Sequence, residues 1–337
     1  MPAPSLAIIQ SDVPAWQRML SDLVTDPQEL LELLGLDHDD NPFSSAAATQ
    51  FPFKLPRWFL SRIKPGDWND PILRQLWPAS QEEAEVAGYG FDPLQESQFN
   101  PVSGLLHKYS SRVLLTASPH CAVHCRYCFR RHFDYAANAP SREHWRAVFD
   151  YIANEPRVGE VILSGGDPLA LPNRQLDWLI EQIEAIPHVN TLRIHTRMTT
   201  VLPQRIDEAL CARLKTTRLS VVLVSHCNHA QELSPESKSA FQQLRNSGVT
   251  LLNQSVILTN VNDNVEILAD LSRKLFEQGV LPYYLHLPDA VAGTAHFDVE
   301  LPLAQSLVAE LQTRLPGYLV PRLVREEAGE YSKTRYA

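Results

Sequence analysis

Three of the five cysteines in this chain stand close together, in the run HCAVHCRYCFRR. Cys121, Cys125 and Cys128 follow the apolar segment RVLLTA, which has the composition of a strand. A [4Fe–4S] cluster binds one thiolate at each iron, so three cysteines would leave one iron without a protein ligand. That iron could bind S-adenosylmethionine (SAM), which accepts an electron from such a cluster and yields a radical. The spacing therefore indicates a cluster with one open iron.

The same run also permits a zinc site. Structural zinc ions take Cys₃His ligand sets, and His120, His124 or His132 could supply the histidine. Zinc would then stabilise a loop and would hold no reactive molecule. The thiolate-rich spacing favours the cluster, although the residues alone leave both metals open.

The composition is that of a globular protein. Of the 337 residues, 44% are hydrophobic and 20% are charged, which suits one large α/β domain or two smaller ones. No apolar run reaches transmembrane length, and the first residues lack the basic and apolar regions of a secretory signal. We therefore expect a cytoplasmic protein without membrane contact, in which clustered cysteines bind metal and do not form disulfides.

The formal net charge of −9 argues against binding along a phosphate backbone. One dense basic spot, made of Arg126, Arg130, Arg131 and His132, interrupts the acidic background. It could be a nucleic-acid patch, but its position within the cysteine run favours a local anion site. We expect no direct nucleic-acid binding.

Residues 1–104 are predicted to form a mainly helical N-terminal region. The segment 15–36 has helical periodicity, with a break at Asp26 and Pro27 and an end at Gly35. Proline- and aromatic-rich segments follow, and these predict short helices joined by ordered loops.

From about residue 105, short apolar runs alternate with amphipathic helical segments. The predicted strands are 112–117, 160–163, 191–195, 219–225, 250–258 and 282–286. The predicted helices are 144–154, 175–186, 204–214, 235–247 and 265–278. This alternation predicts an α/β fold with a parallel sheet, arranged as a partial TIM-like (β/α)₆ barrel. The segment GYLVPRLV could add a further strand.

Polar and reactive residues follow each predicted strand. In chain order they are the cysteine loop; Ser164, Gly165, Gly166 and Asp167; His195 and Arg197; Ser225, His226 and Asn228; residues 254–264; and Asp289. Because the carboxyl ends of parallel strands meet on one face, these residues predict a single active site there. The paired glycines permit a positive φ and a close backbone approach to a ligand, although GGDP is also a common turn sequence.

Lysines are few, which narrows the search for a pyridoxal phosphate (PLP) site. Five of the seven lie in the N-terminal region or in predicted helices, which leaves Lys108 and Lys333. Lys333 stands in AGEYSKTRYA, where a solvated tail is the ordinary interpretation. Lys108 and Arg112 could be surface charges or a phosphate clamp. Glu326 and Glu327, which lie shortly before Lys333, could bind an ammonium group, although acidic pairs are usually solvated.

Taken in order, HCAVHCRYCFRR, VILSGGDPL, LLNQSVIL, NDN, PYYLHLPD and the late SKT resemble the motifs of the lysine 2,3-aminomutase family. The resemblance extends over nearly the whole chain. It is closest to the short bacterial branch that serves modification of translation elongation factor P. It implies a radical SAM barrel over residues 105–300, with a [4Fe–4S] cluster, SAM and PLP. The N-terminal region would pack on this barrel, and residues 301–337 would carry the PLP lysine.

The resemblance also implies roles for individual residues around the cluster. The cluster ligands would be Cys121, Cys125 and Cys128. The methionine part of SAM would lie along Ser164, Gly165, Gly166 and Asp167.

The resemblance implies that Lys333 is the catalytic lysine that binds PLP, which reverses the interpretation as a tail. Residues near the PLP phosphate would be Arg112, Gln254, Lys108 and Tyr109. Arg130 would bind the substrate carboxylate, while Asp289 and Glu326 would receive the side-chain ammonium. The family's usual aspartate appears here as Glu326, which leaves Glu327 as an alternative.

The implied reaction is the isomerisation of L-α-lysine to β-lysine, expected in the (R) form. A radical derived from SAM would remove a β-hydrogen, the nitrogen would migrate from the α to the β carbon, and the hydrogen would be returned. Flavodoxin or ferredoxin would supply the electron, and a partner ligase would attach the product to elongation factor P. The end of the chain, four residues after Lys333, favours this branch and leaves the oligomeric state open. Alternatives are an aminomutase for another amino acid, or a zinc-dependent nucleic-acid or protein-binding module.

Overall fold

The structure, a computed structural model, describes residues 13–37, 41–135, 138 and 142–337. Its first part consists of short elements, namely α1 (Ala15–Ser21), β1 (Leu23–Val24), α2 (Pro27–Leu34), α3 (Ser45–Gln50), β2 (Leu55–Pro56) and α4 (Pro71–Arg74). β1 and β2 pair antiparallel. Loops that contain prolines separate these elements, because proline cannot continue a helix. The prediction of short helices joined by ordered loops is confirmed for this part of the chain.

The predicted break in the first helical segment is also present. Asp26 caps α2 by accepting a hydrogen bond from the Gln28 amide at 2.9 Å, and Pro27 takes the first helical position. Gly35 ends α2 with a φ of 59°. This left-handed conformation suits glycine because it has no Cβ.

A nine-stranded sheet forms the centre of the fold. Its strands are β3 (Leu105–Tyr109), β4 (Arg112–Ser118), β5 (Glu160–Gly165), β6 (Thr191–Thr196), β7 (Ser220–His226), β8 (Thr250–Val256), β9 (Leu281–His286), β10 (Arg322–Arg325) and β11 (Thr334–Arg335). They lie in chain order across the sheet. β4 to β10 run parallel, whereas β3 and β11 pair antiparallel at the two edges. All six predicted strands are present, and β10 is the further strand expected near the C-terminus.

Helices connect the parallel strands. They are α5 (Arg142–Ala153), α6 (Asn173–Glu184), α7 (Met198–Val201), α8 (Glu208–Thr216), α9 (Pro235–Asn246), α10 (Val265–Glu277) and α11 (Leu301–Arg314). The predicted helix 204–214 is divided in two, because Asp207 caps α8 by accepting a hydrogen bond from the Leu210 amide. A 3₁₀ turn at Pro203–Arg205 precedes it.

The sheet is open. Within the described part of the chain, β3 and β11 each pair with one neighbour and not with each other. The strand and helix order is that of the predicted α/β partial barrel, which is confirmed, and no closed barrel forms. None of the helices in the described ranges has the length and apolar content needed to cross a bilayer.

One hydrophobic core joins the N-terminal region to the sheet. Trp16, Leu30 and Phe59 are buried in the same cluster as Leu115 of β4 and Leu163 of β5. Burial of each such side chain contributes on the order of 1.5–3 kcal/mol. A second cluster lies between α10, α11, β9 and β10 and anchors the C-terminal segment.

Candidate active site

A cavity of about 440 Å³ is lined by residues of β3 to β9 and of the loops that follow the parallel strands. On β6, Arg193 and His195 line it but Ile194 does not, because successive side chains of a strand point to opposite faces. Thr196, at the end of the strand, and Arg197, just after it, line the cavity as well. His226 also lines the cavity, with its Nε2 2.7 Å from the Tyr127 hydroxyl.

Two strand-end residues expected at the site lie elsewhere. Ser225 is buried, with its Oγ 2.8 Å from Thr199 Oγ1. Asn228 is buried as well, and its Nδ2 donates to Gln75 Oε1 at 3.0 Å. Both side chains therefore join elements of the fold and do not line the cavity.

The three cysteines of the run, Cys121, Cys125 and Cys128, all line the cavity. Burial raises the pKa of Cys121, and the neighbouring Asp167 adds to the effect. Burial also raises the pKa of Cys128 to about 11. The thiols of Cys121 and Cys128 are therefore protonated at neutral pH, and a metal would displace their protons on binding. Among the described residues no three His, Cys, Asp or Glu side chains converge on a single metal ion; an iron–sulfur cluster needs no such convergence, because each thiolate binds a different iron.

Two of the three histidines considered as zinc ligands are already engaged. His124 Nδ1 lies 2.7 Å from the Pro52 carbonyl oxygen, and His132 Nε2 lies 3.0 Å from that of Ala292. Each of these histidines keeps its second ring nitrogen, so the hydrogen bonds orient the rings and do not by themselves decide between zinc and a cluster.

The basic spot is not a surface patch. Arg126 donates two hydrogen bonds to Glu82, at 2.8 and 2.6 Å, and Arg131 donates one to the same carboxylate at 2.6 Å. All three side chains are fully buried. The anion expected beside the cysteines is thus an internal carboxylate, and the interpretation as a nucleic-acid patch is wrong because these cations do not reach solvent.

The paired glycines approach the cysteine loop very closely. Gly165 has a φ of 107°, and a Cβ there would lie 2.8 Å from the Ser118 carbonyl oxygen. A Cβ on Gly166 would lie 2.5 Å from the His120 carbonyl oxygen. Glycine is therefore required for packing against the chain's own backbone, whereas the sequence had indicated close approach to a ligand.

Asp167 connects the ends of β5 and β6. Its carboxylate accepts hydrogen bonds from Thr196 Oγ1 at 2.8 Å, from the Arg197 amide at 2.7 Å and from the Leu169 amide at 3.0 Å. Burial raises the pKa of Asp167, and these hydrogen bonds act in the opposite direction. Its side chain lines the cavity, but its acceptor positions are largely used within the protein.

Lys333 lies in the cavity and not in a solvated tail. Its amine hydrogen-bonds to Glu326 Oε2, while Glu326 Oε1 accepts from Tyr109 at 3.1 Å and from Lys108 at 3.3 Å. Burial favours a higher pKa for Glu326, but Lys333, Lys108 and Tyr109 together outweigh it and lower the pKa to about 2. Glu326 is therefore ionised at any physiological pH.

Glu327, the alternative to Glu326, points away from the cavity. Its carboxylate accepts from Thr334 Oγ1 at 2.6 Å and from the Tyr336 hydroxyl at 2.7 Å. These bonds tie β10 to the last residues of the chain. Of the two glutamates, only Glu326 lines the cavity.

Asp289 is a half-buried acid in the same cavity. Burial raises its pKa to about 7, with Lys333 acting to lower it and Glu326 to raise it. No side chain or amide among the described residues donates a hydrogen bond to its carboxylate. A half-buried carboxylate without a donor is suited to a cationic ligand.

The four residues expected near a phosphate all line the cavity: Lys108, Tyr109, Arg112 and Gln254. The Arg112 guanidinium lies 4.1 Å from the centre of the Tyr109 ring. Among the described residues no carboxylate pairs with Arg112, and no group hydrogen-bonds to the Gln254 side chain. Both polar groups therefore remain available to an anionic ligand.

Arg130 also lines the cavity, where its guanidinium is paired with Glu96 and contacts Ser164 Oγ at 3.2 Å. Glu96 and Glu82 lie outside the motifs, whereas His286 belongs to PYYLHLPD but was not assigned to the site. Tyr283, Tyr284 and His286 of β9 all line the cavity. The two glutamates lie in short 3₁₀ turns far from their partners in sequence, where no periodicity marks them.

The cavity thus combines three thiols, the amines of Lys108 and Lys333, a half-buried acid and unpaired polar groups suited to a phosphate. A [4Fe–4S] cluster fits the thiols, and PLP fits the Lys333 amine together with Arg112 and Gln254. Such an arrangement can place a redox-active metal cofactor and a carbonyl cofactor on opposite sides of one small substrate.

The chain is similar to known proteins along most of its length. The Radical SAM superfamily model matches residues 115–271, which include the cysteine run and the glycine pair. The L-lysine 2,3-aminomutase of Escherichia coli (strain K12) is 48% identical over 320 residues, covering 95% of this chain and 93% of that protein. The Haemophilus influenzae protein of the same name is 46% identical over 322 residues, with 96% and 95% covered. The Clostridium subterminale protein is 35% identical over 320 residues, with 95% and 77% covered.

Proposed function

The chain belongs to the L-lysine 2,3-aminomutase family of radical SAM enzymes, and we propose that it converts L-α-lysine to β-lysine. The enzyme is then an isomerase that uses a [4Fe–4S] cluster, SAM and PLP. When bound, the cluster and SAM supply an organic radical, and PLP supplies the carbonyl that holds the substrate amine.

One observation carries the proposal: the cysteine trio and Lys333 line the same cavity although they lie at opposite ends of the barrel sequence. A solvated tail lysine would have no reason to be there. Its presence beside an ionised glutamate and an unpaired arginine supports a lysine that holds a phosphate-bearing cofactor.

The three thiolates would hold the cluster, and Lys333 would hold PLP. Arg112 and Gln254 would bind the PLP phosphate, with Lys108 and Tyr109 adjacent. Arg112 suits this role because its planar guanidinium has no carboxylate partner in the described protein. The segment Ser164, Gly165, Gly166 and Asp167 would border SAM, with its backbone groups facing the ligand.

The charges in the cavity support lysine as the substrate. Lysine carries a carboxylate at one end and an ammonium at the other. Arg130 would bind the carboxylate, while Asp289 and Glu326 would receive the side-chain ammonium. Asp289 supports this role because it is half-buried with no hydrogen-bond donor among the described residues, so an ammonium group would relieve its desolvation.

The cellular role is the finer part of the proposal. The enzyme would act in the cytoplasm, where a flavodoxin or ferredoxin can supply electrons. The (R) product would be attached to elongation factor P by a partner ligase. The support for this role is the resemblance to the short bacterial branch.

The test is product analysis with anaerobically purified protein, reconstituted with iron, sulfide, PLP and SAM under reducing conditions. L-Lysine should yield β-lysine, and chiral chromatography should assign it as the (R) form. Cys125→Ser should abolish the product, whereas Cys211→Ser, which changes a thiol in α8, should retain it. Turnover of ornithine or glutamate in place of lysine would establish the alternative aminomutase instead.

A further inference from the structure

Arg130 is held by the carboxylate of Glu96, which lies outside the motifs of the sequence analysis. Its Nε donates to Glu96 Oε2 at 2.9 Å, and its Nη2 donates to Glu96 Oε1 at 2.6 Å. Only 6% of the Arg130 side chain and 15% of the Glu96 side chain are exposed. Two parallel hydrogen bonds between planar ions give both strength and direction. The pair therefore fixes the plane of the guanidinium.

The pairing leaves the second edge of the guanidinium available. Glu96 takes the edge formed by Nε and Nη2, and Ser164 Oγ accepts from Nη1 at 3.2 Å. One N–H on Nη1 and one on Nη2 remain without an acceptor among the described residues. These two donors lie side by side and match the two oxygens of a second carboxylate.

The loop that carries Glu96 is built to hold it in place. Gln95, just before it, has a φ of 51°, which is uncommon for a residue with a side chain. Asp92 Oδ1 accepts from the Glu96 amide at 2.9 Å, and Asp92 Oδ2 accepts from the Ser97 hydroxyl at 3.0 Å. Backbone strain of this kind persists only where surrounding contacts impose it.

We propose that Glu96 is a positioning residue, which orients Arg130 so that the free edge of its guanidinium meets the carboxylate of the substrate. The inference rests on the proposed function in that the ligand is an amino acid. Glu96 acts through Arg130 and need not touch the substrate. Its charge repels the substrate carboxylate across the guanidinium, but each carboxylate lies nearer to the cation than to the other anion, so attraction dominates.

The test compares two ligands that differ only at the carboxylate. L-Lysine and L-lysinamide are titrated by calorimetry into PLP-loaded wild type, E96Q, R130Q and the double variant. We expect E96Q to raise the Kd for L-lysine about tenfold, since a glutamine cannot present two acceptors to the guanidinium. The Kd for L-lysinamide should change less than about twofold, because that ligand has no carboxylate to position. In the R130Q background, E96Q should have no further effect.

Glu266→Gln provides the matched control, because Glu266 pairs with Arg314 at an exposed site away from the cavity. It should leave the Kd of both ligands unchanged. If E96Q does not fold, E96D serves instead, since the shorter acid keeps the charge but its carboxylate lies one methylene further from the guanidinium. E96D too should raise the Kd for L-lysine and not that for L-lysinamide.

An unchanged or lower Kd for L-lysine in the Glu96 variants would overturn the inference. An equal rise in the Kd for L-lysine and for L-lysinamide would overturn it as well. The proposed function can fail separately. A wild type that binds L-lysine but forms no β-lysine refutes the reaction and leaves the role of Glu96 standing. A wild type that binds neither ligand refutes both.

Discussion

Replacing Asp289 by asparagine should stabilise the cofactor-free protein at pH 8 while it weakens the binding of L-lysine. The acid is half-buried without a hydrogen-bond donor in the described protein, and this partial burial raises its pKa from 3.8 to about 7. The folded state therefore holds the Asp289 proton more tightly than the unfolded state does. Ionising the side chain above pH 7 lowers the free energy of unfolding, and asparagine avoids this loss because it carries no charge.

The size of the effect follows from the shift in pKa. A pKa difference of about three between the folded and unfolded states corresponds to at most about 4 kcal/mol in the free energy of unfolding. Relaxation of the site reduces this contribution to about 2–4 kcal/mol. The native state has the higher pKa, so the stability of wild type relative to Asp289→Asn falls as pH rises from about 4 to about 7. The loss of stability is complete above pH 7. It disappears below the pKa that Asp289 has in the unfolded state.

Thermal unfolding of both proteins between pH 5 and 8 measures this directly. The melting temperature of the variant should exceed that of wild type by a few degrees at pH 8, and the gap should narrow steadily toward pH 5. Asp150→Asn, at an exposed position on α5, should show no such gap. Equal melting temperatures of Asp289→Asn and wild type at every pH would show that Asp289 is not a destabilised half-buried acid.

Three further outcomes are expected. Lys333→Ala should remove the visible absorbance of protein-bound PLP, whereas Lys64→Ala, at an exposed position, should keep it. Retained absorbance in Lys333→Ala would exclude Lys333 as the residue that binds PLP. Gly166→Ala should lower both the melting temperature and the iron content, because its Cβ would lie 2.5 Å from the His120 carbonyl oxygen; Gly317→Ala, with no atom within 4 Å, is the control, and equal behaviour of the two would contradict the packing argument. Elemental analysis after anaerobic reconstitution should find about four iron and four sulfide ions per chain, and a single zinc ion in their place would refute the cluster.

The sequence was a good guide to the fold where local chemistry is strong. Apolar β-branched runs between turn residues marked six of the seven parallel strands, β4 to β9, because strands buried on both faces need such residues. The edge strands β3 and β11 were missed. β3 reads LLHKY, and β11 has only two residues, so neither has the apolar run that a central strand requires.

The spacing of the cysteines marked the loop that lines the cavity, whereas Lys333 was marked only by the family resemblance, because the residues around it indicated a solvated tail. The ion pairs were not predictable, because their opposite charges come from segments that are far apart in the sequence. Glu82 meets Arg126 and Arg131, and Glu96 meets Arg130, only after the chain has folded. The arginines of the run looked like an exposed basic spot because the carboxylates that neutralise them lie in another region of the chain.

The anchoring of the cysteine loop bears on how the cofactor arrives. The loop is tied down from the N-terminal region, where the His124 amide donates to the Lys54 carbonyl at 3.1 Å and the Arg126 amide donates to the Gln75 carbonyl at 2.8 Å. These ties need no iron, unlike the small zinc domains that fold around their ion. The N-terminal region therefore holds the cysteine loop in place before any cluster is bound, so disrupting that region should impair cluster binding without touching a cysteine.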